Sequence, residues 1–246
     1  MITLKSPQEI EIMKTAGTIL RSLLQKIVNY VSHGKTTQEI DDYAALIIGK
    51  EDVIPAFLGY KGFPSNVCIS VNEEVVHGIP SKRKILSGDI VSMDLGISYK
   101  GYFADSAVTL AVDKIEHPLK KLIRVTRESL YKGIKQAYPG NYLGNISAAI
   151  QSYVEANGFS VVRQFVGHGI GKNLQEEPEV PNFGKNGPGI CLKEGMVLAI
   201  EPMVNMGGWE VATLDNNWTV VTKDKLPSAH FEHTVAITEK GPEVLT

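Results

Sequence analysis

Residues 89–112 read DIVSMDLGISYKGYFADSAVTLAV and predict two antiparallel strands joined by a tight turn. The turn lies at the Tyr-Lys-Gly step, because glycine adopts positive φ readily. Each strand carries one acid, Asp94 on the first and Asp105 on the second. A turn at 99–100 places these acids directly opposite each other, and a turn at 100–101 places them diagonally. In both registers they share one face of the sheet, since the strand period is two.

The apolar neighbours of these acids favour burial over exposure. Ile90, Val91 and Met93 precede Asp94 in the first strand, and such residues usually lie inside proteins. Two carboxylates that are close and buried repel each other and lose their hydration, so they need compensation. The alternative is an exposed hairpin with scattered acids, which needs none.

The second half of the chain has acids in similar places. Glu201 ends the apolar run MVLAIE, and Glu232 interrupts the β-like run AHFEHTVAIT. A bound cation would compensate the four carboxylates, and His168, within Gly-His-Gly-Ile-Gly, is the candidate nitrogen ligand. A lone histidine is more often a hydrogen-bonded core residue, but the flanking glycines leave His168 little to pack against.

This set of five ligands favours a particular kind of metal site. Four oxygen donors and one nitrogen donor suit Mn²⁺, Fe²⁺, Co²⁺ or Zn²⁺. Four carboxylates exceed what one ion needs, so we expect two divalent ions about 3.5–4 Å apart, a geometry that serves hydrolysis.

Helices and strands are predicted in the same order twice. The capping boxes SPQE (6–9) and TTQE (36–39) predict the starts of two helices, and β-rich runs follow over about 55–112. Apolar spacing predicts a third helix from near His117 and a fourth over roughly Asn145 to Asn157. After the fourth helix, β-rich runs return.

The repetition extends to individual residues. HGKTTQEI (33–40) resembles PGNYLGNI (139–146), and SGDIVSMD (87–94) resembles EGMVLAIE (194–201). The offsets, 106 and 107, are nearly the same, which makes chance agreement less plausible. The repeat therefore predicts two structurally similar halves.

We expect one catalytic domain, 1–246, with halves of about 1–112 and 113–246. Its predicted class is α+β, with antiparallel sheets meeting in the middle and helices outside. A net charge of -2 without long blocks of like charge does not favour nucleic acid as a partner. The start MITLKSPQEI has no signal-peptide region, no apolar run reaches membrane-span length, and the chain has only two cysteines. These features predict a cytoplasmic protein.

In these features the chain resembles the type I methionine aminopeptidases of the two-metal, creatinase-like "pita-bread" fold. The resemblance covers essentially the whole chain, and its specific motifs are YKGFPSNVCISVNEEVVHGIP, DLG with ADSA, GHGIG, AIEPM and HFEHT. It implies removal of the initiator methionine from nascent proteins by a hydroxide that bridges two divalent metals. It also implies a monomer whose partners are nascent polypeptide N-termini with a small second residue, and the ribosome.

The resemblance implies a role for each ligand. One metal is expected at Asp94, Asp105 and Glu232, and this metal would also receive the substrate's α-amine. The second is expected at Asp105, His168, Glu201 and Glu232. Glu201 would also handle the proton of the attacking water.

The resemblance implies further site residues beyond the metal ligands. His77 would lie near the scissile amide, although without the resemblance it could be an ordinary loop histidine. The methionine pocket would be lined by aromatic, aliphatic and sulfur-containing side chains. Without the resemblance, most of them would be assigned to the ordinary hydrophobic core: Phe57, Tyr60, Phe63, Cys68, Leu174 and Trp218. Cys68 would contribute its thiol to the wall of this pocket and would not act as a nucleophile. Backbone carbonyls of Asn72, Glu74 and Ser228 match positions that hold a monovalent cation in some relatives.

Gln175 departs from the family pattern, which has a histidine at this position that contacts the bound peptide. Glutamine keeps an N–H donor but cannot carry positive charge. If a charged donor is required there, transition-state stabilisation falls by about 10²-fold or more. Two alternative functions therefore stand beside the first: a related metallopeptidase of shifted specificity, and a catalytically weak protein that binds peptide N-termini.

Overall fold

The computed structural model describes residues 2–187 and 189–246. It contains four α-helices, which are α1 (Pro7–Tyr30), α2 (Thr37–Ile48), α3 (His117–Ile134) and α4 (Leu143–Ala156). The strands of the first half are β1 (Ile54–Pro55), β2 (Cys68–Val71), β3 (Glu74–Val76), β4 (Ile90–Tyr99) and β5 (Tyr102–Ala111). Those of the second half are β6 (Ser160–Val161), β7 (Gly167–Gly169), β8 (Glu176–Val180), β9 (Val197–Ile200), β10 (Met203–Asn205), β11 (Val211–Thr213), β12 (Val220–Thr222), β13 (Ser228–His230), β14 (His233–Thr238) and β15 (Gly241–Val244).

The predicted helix starts are confirmed for α1 and α2. The Ser6 hydroxyl accepts from the Glu9 backbone N–H at 3.3 Å, and the Glu9 carboxylate accepts from the Ser6 N–H at 2.8 Å. The same reciprocal pair forms between Thr36 and Glu39. Each pair satisfies backbone donors that the first helical turn would otherwise leave unpaired.

Helix α4 begins at Leu143, two residues before the predicted start. The Asn145 side chain is part of the cap, because its Oδ1 accepts from the Tyr142 backbone N–H at 2.8 Å. The polar residue that we predicted as the first helical residue therefore lies inside the first turn.

The hairpin of β4 and β5 adopts the diagonal register. Tyr99 pairs with Tyr102, so the turn consists of Lys100 and Gly101, both at positive φ. Asp94 lies opposite Ala107, and Asp105 lies opposite Gly96. The two acids therefore project from the same face, as the strand period requires.

The two halves contain matching hydrogen bonds ahead of their second helices. Gly34 N–H donates to Ile85 O at 2.8 Å, and Gly140 N–H donates to Leu192 O at 2.9 Å. Both glycines have φ near +90°. Isolated bridges also correspond, Thr36 with Lys84 and Tyr142 with Cys191. The offsets of 106 and 107 seen in the sequence thus recur in the backbone pairing.

Helices lie outside antiparallel sheets, as predicted. In the first half, α1 and α2 share an apolar core with β2 and β4; in the second half, α3 and α4 share one with β9, β13 and β14. The largest sheet has the strand order β15-β14-β9-β7-β8, and β4 forms the centre of another with β1, β2 and β5. Within the described ranges, no helix combines the length and apolar character needed to cross a bilayer.

Candidate active site

One cavity of about 170 Å³ is lined by all thirteen side chains for which a catalytic, metal-binding or pocket role is predicted. The five expected metal ligands are Asp94, Asp105, His168, Glu201 and Glu232. The others are Phe57, Tyr60, Phe63, Cys68, His77, Leu174, Gln175 and Trp218. Residues from both halves of the chain therefore meet in one place.

The first half contributes two acids through the register of β4. Cys68 of β2 lies opposite Asp94, so its thiol shares the face of that carboxylate. Gly96 lies opposite Asp105, and a Cβ at Gly96 would come within 2.8 Å of the Phe57 ring and 3.3 Å of Asp105 Oδ1. Glycine here lets the pocket wall and the carboxylate approach the same strand.

The second half contributes its ligands around one row of the five-stranded sheet. Ala199 of β9 lies between His168 of β7 and Thr234 of β14. Glu201 stands two residues beyond Ala199, and Glu232 two residues before Thr234. The run around Glu232 is not one strand: β13 ends at His230 and β14 begins at His233, so Glu232 lies in the connection between two sheets.

Hydrogen bonds join the two halves beside the acids. Thr234 Oγ1 accepts from the Asp105 N–H at 3.0 Å and donates to the Asp105 carbonyl at 2.9 Å. Glu232 N–H donates to Ala107 O at 2.9 Å, and Ser106 Oγ donates to Glu232 O at 2.9 Å. Residues 126 and 129 positions apart in sequence are therefore held together by hydrogen bonds of hydroxyl and backbone groups.

The protonation state of His168 is determined by its neighbour. Nδ1 lies 2.9 Å from Gly169 O, and a carbonyl can only accept, so Nδ1 carries the proton. The lone pair is then on Nε2, which lies 3.6 Å from Glu201 Oε1. Candidate ligand atoms of His168, Asp105 and Glu232 all lie within 4.8 Å of one another. This is the arrangement in which histidine binds metals.

Burial and mutual repulsion disfavour the charged forms of the four carboxylates. Burial, and then the charges of neighbouring acids, raise the pKa values of Asp94 and Glu232 well above the usual range. Burial likewise raises the pKa of Asp105 to about 7 and that of Glu201 well above its usual range. One buried oxygen each of Asp94, Asp105 and Glu232 has no hydrogen-bond partner. Divalent cations would satisfy these oxygens and reverse the repulsion, so the residues fit a metal centre.

His77 lies at the edge of this centre and is neutral. Burial, and next the Lys61 ammonium, lower the pKa of His77 to about 4. Its φ of 58° is in the left-handed region, which costs energy for a residue with a side chain and is frequent at functional sites. The rings of Phe165 and Trp218 lie edge-on to the imidazole at 5.6 and 6.1 Å between centroids.

The rest of the cavity is mostly apolar. The rings of Phe63 and Trp218 are T-shaped at 5.1 Å, and Leu174 is buried. Burial, and then Asp94, raise the pKa of the Cys68 thiol well above its usual range, so its reactive thiolate is disfavoured. Five further lining residues were not predicted from the sequence: Lys61, Val76, Phe165, Val166 and Met203. Lys61 and Val76 belong to the same motif as Tyr60 and His77, so their position in that motif could have indicated that they line the cavity.

Comparison with known proteins assigns the family. The model of metallopeptidase family M24 matches residues 11–239. The chain belongs to metallopeptidase family M24. It is 54% identical to the methionine aminopeptidase of Clostridium perfringens and 52% identical to methionine aminopeptidase 1 of Bacillus subtilis. Each alignment covers 100% of this chain and 99% of the relative.

Solved structures agree with this assignment. The methionine aminopeptidase of Thermotoga maritima superposes with a TM-score of 0.97 at 48% identity, covering 100% of this chain and 99% of that one. A prolidase of Pyrococcus horikoshii at 23% identity shares the fold with a TM-score of 0.76, and this chain spans 63% of it. The pita-bread fold and the resemblance to the methionine aminopeptidases are therefore confirmed, and as an M24 metallopeptidase the protein is an enzyme that uses divalent metal.

Gln175 lies at the mouth of the metallopeptidase cavity. Its Oε1 accepts from the Lys61 ammonium at 3.1 Å and from the Tyr60 hydroxyl at 3.3 Å. Lys61 and Gln175 are both exposed. The glutamine is thus bonded to two donors from a turn more than a hundred residues away in sequence.

The residues predicted to hold a monovalent cation are adjacent in this metallopeptidase. Asn72 O accepts from the Ser228 N–H at 2.9 Å, and Asn72 has a φ of 56°. The Glu74 carboxylate accepts from the Val71 N–H and pairs with Arg83. The monovalent cation itself stays a prediction.

Proposed function

We propose that this metallopeptidase removes the N-terminal methionine from nascent proteins and peptides whose second residue is small. The observation that carries the proposal is the junction of two surfaces in one cavity. Buried carboxylates and a group of aromatic and aliphatic side chains line the same cavity. A charged α-amine and an apolar thioether side chain are adjacent in an N-terminal methionine, and such walls suit a thioether.

Two divalent ions would be held by the five predicted ligands. Asp94 would bind one ion, His168 and Glu201 the other, with Asp105 and Glu232 shared between them. Bound there, the ions would supply an activated water and polarise the scissile carbonyl. The metal is one of Co, Mn, Fe or Zn, since oxygen-rich sites with one imidazole accept each of these.

The protein's own groups would then orient the substrate and move protons. Glu201, at the end of β9, would accept the proton of the attacking water. Neutral His77 would donate a hydrogen bond to the scissile peptide group from the cavity edge. The trapped side chain and amine would leave only one peptide bond in reach, which makes the enzyme an exopeptidase.

We further propose one catalytic domain and one class of partner for this metallopeptidase. Because ligands come from both halves, 1–246 acts as a single catalytic domain. Its partners are emerging polypeptide N-termini, with the ribosome as the place of encounter, and it works as a monomer in the cytoplasm. A shifted specificity or a purely binding role is less favoured, because all five predicted ligands line one cavity and relatives at about 50% identity carry the aminopeptidase name.

Hydrolysis of Met-Ala-Ser, followed with each of the four metals and with a chelator, tests the function. We expect metal-dependent release of free methionine and no release with chelator. Leu-Ala-Ser and Met-Trp-Ser serve as matched substrates and should be cleaved much more slowly. Equal cleavage of Leu-Ala-Ser would support the shifted-specificity alternative, and binding without cleavage would support the peptide-binding one.

A further inference from the structure

The hydrogen bonds of Gln175 determine which way its side-chain amide points. A lysine ammonium has only donors, so the Gln175 atom 3.1 Å from Lys61 Nζ must be the amide oxygen. The Tyr60 hydroxyl donates to the same oxygen. Within the parts of the chain that the structure describes, no side chain or backbone group accepts from Gln175 Nε2. Its two N–H groups are therefore available to a ligand in the cavity that Gln175 lines.

Both partners of this contact are held in place. Lys61 lies in a tight turn with a φ of 49°, closed by Phe63 N–H to Tyr60 O at 2.9 Å and by Gly59 N–H to Phe63 O at 2.8 Å. On the other side, Glu176 follows Gln175 and is paired with the buried Lys5 ammonium at 2.7 Å. The turn and the ion pair therefore hold the backbone on both sides of the contact between Lys61 and Gln175.

Lys61 brings positive charge to the rim of the cavity, beside Gln175. In the lining made by residues 2–187 and 189–246 it is the one lysine or arginine. Lysine thus provides what glutamine cannot, since an amide is never cationic.

We propose that Lys61 is a positioning residue for Gln175. Its ammonium fixes the amide oxygen and polarises the amide, so that Nε2 donates more strongly to the peptide group as negative charge develops there. Hydrogen bonds in a chain strengthen one another in this way. The inference rests on the proposed peptidase function, and it assigns to a Lys-Gln pair the positive charge that a histidine at position 175 would carry.

A double-mutant cycle on the metal-loaded full chain tests the proposal, with kcat and KM for Met-Ala-Ser measured separately. We expect Lys61→Met to lower kcat by about tenfold with KM nearly unchanged, a coupling within the range for residues in contact. In a Gln175→His background the same Lys61→Met change should alter kcat by less than about twofold, because the imidazole does not need the ammonium. Lys61→Arg keeps the donor and should restore most of kcat.

Lys100 offers a matched control. It is an exposed lysine with a φ of 48°, and its ammonium lies 5.2 Å from the Tyr99 ring centroid, the same distance as Lys61 from the Tyr60 ring. Lys100→Met should leave kcat unchanged. Thermal unfolding of both lysine variants checks that neither has lost its fold.

Three results overturn the inference. Equal losses of kcat in both backgrounds would show that Lys61 acts independently of Gln175. A change confined to KM would assign Lys61 to peptide binding, and no change at all would leave it without a role. If wild-type protein loaded with each metal cleaves nothing, the proposed function itself fails, and the two failures are thereby distinguished.

Discussion

The floor and the rim of the cavity are built in different ways. The floor is the set of five predicted metal ligands, which lie on strands or next to strand ends and are mostly buried. The rim is formed by Tyr60, Lys61 and Gln175, which lie in or beside turns and reach solvent. Strand register determines where floor side chains point, whereas rim side chains are placed by contacts between remote turns. We therefore expect floor substitutions to remove activity and rim substitutions to tune it.

Asp105→Asn should have the largest effect. This carboxylate is predicted to be shared by both metals, so its loss should lower kcat/KM by about 10⁴-fold or more. The measurement is Met-Ala-Ser hydrolysis together with metal content by elemental analysis. Full activity with two bound metals would contradict the ligand assignment.

The same variant should stabilise the metal-free protein at high pH. Asp105 has a pKa raised from 3.8 to about 7, so between these values the folded state holds a proton that the unfolded chain has released. The contribution of protonated Asp105 to the free energy of unfolding of the wild type is therefore fully present below pH 3.8 and is lost as the pH rises through 7. In chelator, denaturant unfolding should show Asp105→Asn gaining about 2 kcal/mol or more at pH 8 and little at pH 4. A difference between the two proteins that does not depend on pH would contradict this.

His77 lies between the floor and the rim, so we expect an intermediate effect from His77→Ala. Removing a hydrogen-bond donor to the reacting peptide should lower kcat by about 10²-fold while metal content is unchanged. His33, an exposed histidine outside the cavity, provides the control variant His33→Ala. If His77→Ala loses metal instead, His77 belongs to the floor.

Trp218→Leu should affect substrate choice more than rate. Its ring contacts those of Phe63 and His77, so a smaller side chain opens the apolar wall. We expect KM for Met-Ala-Ser to rise by about tenfold and discrimination against Leu-Ala-Ser to weaken. Trp209, which does not line the cavity, gives the matched control Trp209→Leu. Unchanged discrimination would exclude Trp218 from the specificity pocket.

Tyr60→Phe should have the smallest effect. It removes one exposed hydrogen bond of 3.3 Å to Gln175 and keeps the ring. We expect kcat to fall about two- to threefold, because Lys61 still holds the amide oxygen. Tyr99→Phe is the control, and a loss above tenfold would make Tyr60 the main partner of Gln175.

Much of the floor could be predicted from the sequence. Acids inside apolar strands are rarely tolerated, so Asp94 and Asp105 indicated that a cation balances their charge. The strand period placed both side chains on one face of the sheet. The spacing of the repeats also anticipated matching backbone bonds in the two halves. The break at Glu232 was missed, because the run from β13 to β14 alternates like one strand although its two parts pair in different sheets.

The rim was less predictable for a physical reason. Lys61 and Gln175 are separated by 114 residues, and neither lies in a strand whose register could bring them together. Gln175 could be recognised as unusual only by its departure from a family pattern. Its hydrogen bond to Lys61 became visible only in the structure, where the two turns lie in contact.

The hydrogen bonds between Asp105 and Thr234 also bear on the order of folding. A growing chain of two hundred residues already contains Asp94, Asp105 and His168, but Glu201 and Glu232 are still missing. Contacts across such sequence distances form late, because the loops they close are long. The acids of the first half should therefore be unpaired for most of synthesis, and tight metal capture should mark the moment when the last strands join the sheet.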